Sequence, residues 1–142
     1  MIRTSQVLLA LVVALCLLLP ACDSSGGDHP PIFDQRPYAK AKAAAEADGK
    51  LLIVKGTATW CGPCQQMDKT TWRDEQVVAW LKEHAIVVAV DVDAEQATAQ
   101  ELAIQAMPTM IAFKDGKEIG RIVGMLGPTQ FLPWLDSLLR RG

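Results

Sequence analysis

The order of elements in the sequence predicts an α/β fold, a central mixed β-sheet of about four strands with helices on both faces. Two apolar runs of strand length, Leu51-Leu52-Ile53-Val54 and Ala85 to Val92, each lead into a helix-compatible stretch. That is the pattern of buried parallel strands joined by crossovers. Asp115-Gly116 then separates Thr109 to Lys114 from Lys117 to Val123, as a hairpin turn separates antiparallel strands.

The chain has 142 residues, enough for one domain with a modest core. Its formal charge is −2, with lysines and arginines scattered among acids and no basic cluster, so nucleic acid is not an expected partner. Four cysteines, at positions 16, 22, 61 and 64, are too few for a disulfide scaffold.

Residues 1–21 read as a secretory signal. Arg3 supplies a positive start, and Val7 to Leu19 is an apolar run of 13 residues, shorter than the roughly 20 a spanning helix needs. Cys16 lies inside that run and is expected to be discarded with it. Leu19-Pro20-Ala21-Cys22 resembles the lipobox of bacterial lipoproteins, although Pro20 is a less usual choice. The resemblance implies cleavage before Cys22 and lipidation of that residue, and several acyl chains hold a protein at a membrane where one does so only marginally. Asp23 after the cysteine resembles the signal for retention on the inner membrane. The expected location is therefore extracytoplasmic: a lipoprotein of the inner membrane facing the periplasm.

Residues 22–36 are read as the lipidated cysteine and a flexible tether. The stretch from Asp23 to Pro31 is small, polar and proline-containing, and reaches on the order of 15–20 Å as a random chain. His29 is expected to be solvated within it. The folded domain is placed at 37–142.

Pro37 to Asp48, closed by Gly49, reads as a helix with Ala39, Ala43, Ala44 and Ala47 as a shallow packing face. The first core strand follows, then Trp60-Cys61-Gly62-Pro63-Cys64 and a helix from about Pro63. Thr70 to Arg73 interrupts that helix, and Asp74 is placed to cap a second one holding Val77, Val78, Trp80 and Leu81. After the strand ending near Val92, a helix is expected from Asp93 or Ala94 to about Gln105. Pro108 opens the hairpin, Gly124 ends it, and Pro128 starts a last helix with Phe131, Leu132, Leu135, Leu138 and Leu139 on one stripe.

A lone C-x-x-C is compatible with redox chemistry or with metal. Tetrahedral zinc wants four ligands, and the domain offers no second Cys or His pair, so no metal and no cofactor are expected. Asp91, Asp93 and Glu95 are read as a solvated loop, and His84 has no evident partner. Met67, Trp72, Trp80 and Trp134 are assigned to the core.

Residues 37–140 resemble the thioredoxin superfamily. The resemblance is carried by Trp60-Cys61-Gly62-Pro63-Cys64 after the first strand, Met107-Pro108-Thr109 before the hairpin, and Val123-Gly124 before the last helix. Cys64-Gln65-Gln66-Met67, Thr70-Thr71-Trp72 and Val90-Asp91-Val92-Asp93 resemble more closely the extracytoplasmic thioredoxin-like proteins and the soluble C-terminal domain of DsbD-type reductases. The resemblance implies thiol–disulfide exchange with protein disulfides, with Cys61 as nucleophile and Cys64 as resolving thiol. It also implies a membrane electron donor of the DsbD type, and the molecule is expected to be a monomer.

The helix start at Cys61 offers unpaired N–H groups and the positive end of a dipole, which lowers a thiol pKa by roughly 1.5 units at most. Gly62 permits the tight turn, Pro63 stiffens it, and Trp60 is expected to pack beside the loop and limit access to the sulfurs. Pro108 matches the superfamily's cis-proline, which implies that the Met107 backbone pairs with an extended substrate beside Pro108 and Thr109. Gly-Pro between the cysteines resembles reducing members of the family.

Lys55 departs from the pattern, because many thioredoxins carry a buried aspartate there. It is expected to snorkel to the sheet edge or pair with an acid, so that Lys55→Ala moves a cysteine pKa by less than one unit. The alternative is a low-titrating amine that stabilises a nearby thiolate. A non-catalytic peptide-binding module or chaperone on the same fold is the alternative function, and the intact cysteine pair argues against it.

Overall fold

The computed structural model describes residues 29–142. The expected signal peptide, Cys16, Cys22, Asp23 and the tether as far as Asp28 lie outside the described residues. In chain order the elements are α1 (Tyr38–Ala47), β1 (Leu51–Thr57), α2 (Gly62–Lys69), a 3₁₀ turn (Thr71–Arg73), α3 (Glu75–His84), β2 (Ala85–Asp91), α4 (Gln96–Glu101), β3 (Thr109–Lys114), β4 (Lys117–Val123) and α5 (Pro128–Leu138). Among the described residues no helix is long and apolar enough to cross a membrane.

The sheet order is β2-β1-β3-β4. β1 runs parallel to β2, with Leu51 opposite Ala85 and Thr57 opposite Asp91, and antiparallel to β3, with Gly56 opposite Thr109. The hairpin pairs Thr109 with Val123. All seven residues of β1 are buried, as a central strand covered on both faces requires. Side chains alternate across the sheet. Leu51 and Ile53 join Met67, Trp72, Val77, Leu81, Phe131 and Leu135 on one face. Leu52 and Val54 join Tyr38, Ala41, Ala45 and Leu102 on the other.

The expected strands β3 and β4 and the start of α5 appear as read, and Asp74 caps α3 by accepting the N–H groups of Gln76 and Val77. α2 and α3 are two helices, separated by the 3₁₀ turn.

Several expectations need correction. The tether boundary at 36 lies too late. Phe33 is buried, forms a parallel bridge to Val87, and packs edge-on against Trp72, so the chain joins the core before α1. His29 is not simply solvated; its ring lies 5.5 Å from that of Phe33. The buried face of α1 is Tyr38, Ala41 and Ala45, and the alanines expected there are exposed or half-buried. Tyr38 sets the phase that a run of near-identical alanines leaves undefined.

α4 is shorter than expected at both ends. Asp91 accepts the N–H groups of Asp93 and Ala94, holding that stretch in a turn, and Ala103 adopts φ 50° and ends the helix. Leu139 is exposed beyond the end of α5, outside the stripe assigned to it. The His84 ring lies 4.8 Å from that of Trp80, tilted against it, and His84 Nε2 lies 3.8 Å from a Glu83 oxygen. Trp72 and Met67 are core, whereas Trp80 and Trp134 are partly buried against it.

Candidate active site

β1 ends at Thr57, and four residues later the chain starts α2 with Cys61 as its N-cap. Pro63 stands within the first helical turn, where its missing N–H costs nothing. Cys61 and Cys64 form a disulfide with 5.2 Å between their Cα atoms. The Cys61 sulfur also accepts the N–H of Cys64 at 3.3 Å. One sulfur thus sits at the positive end of α2, where negative charge is stabilised.

Both cysteines are enclosed, with 4% of Cys61 and 1% of Cys64 accessible. They pack with Ala58, and Val92 and Met107 lie against them. Met107 is joined to Pro108 by a cis peptide bond. The Gly124 N–H donates to the Pro108 carbonyl at 2.8 Å, which brings the end of β4 alongside. The residues read from the sequence at 60–64 and at 107–109 therefore converge, although more than forty positions separate them.

Trp60 is 65% exposed, and its Nε1 donates to Asp93 at 2.7 Å. Val123 and Met125 are also exposed and flank Gly124. Trp60 precedes Cys61 in the loop before α2, and Val123 and Met125 flank the glycine whose N–H bonds the carbonyl of Pro108, the residue after the Met107 that packs on the cysteines. Gly62 has open space around a would-be Cβ. Thr109 is buried, with its hydroxyl donating to the Ala106 carbonyl, so its side chain is turned into the protein.

Lys55 is fully buried in β1, the second strand of the sheet, and does not snorkel to an edge; the acid-pairing half of the expectation is what the structure has. Its Nζ donates to Oδ1 of Asp68 at 2.5 Å and lies 5.5 Å from the Phe33 ring centroid. Burial pushes the Lys55 pKa down, and the Asp68 bond and charge push it part of the way back. Burial also raises the Glu95 pKa at the turn after β2, against a hydrogen bond to the Asp91 backbone that lowers it.

Asp68 and Asp93 were not singled out as site residues by sequence reasoning. Asp68 had a signal: it stands four residues after Cys64, the spacing that puts two side chains on one helical face. Asp93 had none, because its partner Trp60 is 33 positions away.

Residues 38–139 match the family model described as a thioredoxin-like domain. A thioredoxin of Mycolicibacterium smegmatis is 39% identical over 92 residues, covering 63% of this chain and 80% of that protein. A thioredoxin-like protein of Synechocystis is 37% identical over 87 residues, covering 61% of this chain and 80% of that protein. The solution structure of a thioredoxin from Thermus thermophilus superposes with a TM-score of 0.66 at 30% identity, covering 72% of this chain and 84% of that one. A DsbH oxidoreductase shares the fold, with a TM-score of 0.67 over 80% of this chain and 92% of that one at 18% identity.

Proposed function

The chain belongs to the thioredoxin-like family, and from that premise we propose that it is a membrane-anchored, extracytoplasmic member that reduces disulfides in other proteins. Thiol–disulfide oxidoreductase chemistry follows from the family and the Cys61–Cys64 disulfide. The observation that carries the reading is the placement of that disulfide at the start of α2, against Met107 and its cis bond to Pro108.

In the reduced protein, the Cys61 thiolate attacks one sulfur of a substrate disulfide. A Cys61–substrate disulfide forms, and the other substrate sulfur leaves as a thiolate with the electron pair. Cys64 loses its proton and attacks the Cys61 sulfur. The Cys61–Cys64 bond forms and the second substrate thiolate departs. Two electrons pass to the substrate and two protons finish on its thiols. The Met107 backbone beside Pro108 and Thr109 pairs with an extended substrate segment. That contact reads backbone and so tolerates many sequences.

The Gly-Pro dipeptide supports the reducing direction. The lipobox-like Leu19-Pro20-Ala21-Cys22 supports attachment through lipidated Cys22, and Asp23 supports the inner membrane, facing the periplasm. A reductase there needs electrons from across the membrane, which a donor of the DsbD type supplies.

Cysteine exchange tests the chemistry. Cys64→Ser traps a mixed disulfide with substrate, and Cys61→Ser traps none; trapping by Cys61→Ser instead reverses the assignment. Labelling with a fatty acid tests the anchor: wild type takes up label and fractionates with membranes, and Cys22→Ser does neither. A labelled Cys22→Ser protein contradicts the attachment.

A further inference from the structure

The mechanism requires a thiolate at Cys64, where there is almost no water to solvate it. A buried thiolate is disfavoured unless a charge or donor compensates. The N-terminal N–H groups of α2 serve Cys61, and the N–H of Cys64 is itself spent on the Cys61 sulfur. The compensating group has to come from below α2.

By alternation with Leu51 and Ile53, Lys55 points to the sheet face that α2 covers. On α2, Met67 packs on that face and the half-buried Asp68 reaches it through Lys55, while Cys64, buried one turn earlier, packs with Ala58 and Cys61. Cys64 and Asp68 are one turn apart, neighbours at about 5–6 Å between Cβ atoms. Asp68 accepts from Lys55 Nζ, so the ammonium is held at the turn of α2 that follows Cys64. From the other elements packed around it Lys55 meets the Phe33 ring, and its strand neighbours Ala89 and Met110 are apolar. Among the described residues, the charge acting on it is that of Asp68.

We infer that Lys55, held protonated by Asp68, is a positioning residue that stabilises the Cys64 thiolate. It acts through space and does not touch substrate. The same charge serves both half-reactions. In substrate reduction it favours deprotonated Cys64 for attack on Cys61. In recharging, a donor thiolate bonds to Cys61, the Cys61–Cys64 bond breaks, and its electron pair goes to Cys64. The inference needs the exchange chemistry of the family and neither the anchor nor the direction. It predicts a larger effect on Cys64 than the shift of less than one pKa unit expected from the sequence for a lysine that snorkels or pairs with an acid.

The test mixes the chain carrying Cys16→Ser and Cys22→Ser, reduced so that Cys61 and Cys64 are its two thiols, with one equivalent of the disulfide of thionitrobenzoate, and follows two releases of coloured thiolate. The first reports attack by Cys61 and the second reports resolution by Cys64. In Lys55→Met the ratio of second to first rate falls about tenfold or more at neutral pH, since one pKa unit is tenfold in thiolate fraction. A ratio within twofold of wild type in a folded Lys55→Met protein overturns the inference. If circular dichroism shows that this variant does not fold, Asp68→Asn decides. Without its counter-charge the buried amine loses its proton more easily, so the ratio falls progressively below wild type as pH rises. A profile parallel to wild type overturns the inference. Loss of the first release as well, in either folded variant, places the defect at Cys61 and equally contradicts it.

Discussion

The indole Nε1 of Trp60 donates to the Asp93 carboxylate, joining the residue before the first cysteine to the turn that follows β2. The bond spans two loops that share no strand pairing, and it holds an exposed aromatic ring at the rim of the disulfide. Asp93→Ala removes the acceptor. A hydrogen bond in an exposed position contributes about 0.5–1.5 kcal/mol at most, so stability falls by roughly 1 kcal/mol or less, read by urea denaturation. The sharper effect is on the ring: fluorescence anisotropy assigned to Trp60, by difference from Trp60→Phe, falls in Asp93→Ala. Asp93→Asn keeps an acceptor oxygen and keeps the anisotropy. Equal anisotropy in all three proteins contradicts the role given to the bond.

Ala103 closes α4 in the left-handed region, with its N–H on the Gln100 carbonyl and the next N–H, of Ile104, on that of Ala99. Glycine is the usual residue in such a position because a Cβ there costs about 1–2 kcal/mol. Ala103→Gly is expected to stabilise the protein by about 0.5–1 kcal/mol after the extra freedom of glycine in the unfolded chain is subtracted. A loss of stability in denaturant titration contradicts the prediction.

Lys55 also makes stability depend on pH. Burial, partly offset by Asp68, puts its folded-state pKa below the ordinary lysine value of about 10.4. In the interval between the two, the unfolded chain binds more protons, so stability rises with pH. The contribution is fully present above the unfolded value and is lost as pH falls through the folded one. The stability of wild type minus that of Lys55→Met therefore increases from neutral pH towards pH 10. Urea denaturation across that interval checks it, and a flat or falling difference contradicts it.

Much of this structure was legible because the signals were local. Asp115-Gly116 and Gly124 bracketed the hairpin, Asp74 announced the α3 cap, and uninterrupted apolar runs placed β1 and β2. The resemblance at 60–64 and 107–109 located two halves of one site, and the fold brought them into contact. What failed depended on competition between local and distant bonds. The α4 boundaries shifted because the Asp91 side chain took two N–H groups and because an alanine, with no warning in its identity, occupied a glycine conformation. The segment before α1 looked like tether because Pro30 and Pro31 disguised Ile32 and Phe33 as linker, yet Phe33 fills the space between Trp72 and Lys55. Asp68 was visible in the i, i+4 spacing from Cys64, but its meaning required knowing that Lys55 pointed to α2.

The reducing direction is the claim on which the functional account turns, and the reduction potential of the Cys61–Cys64 pair tests it most directly. Equilibration of the full chain with a defined thiol–disulfide buffer gives the value. The account predicts a potential in the reducing range of thioredoxin, about −270 mV; a value near the −120 mV or so of strong disulfide-forming oxidants would contradict it.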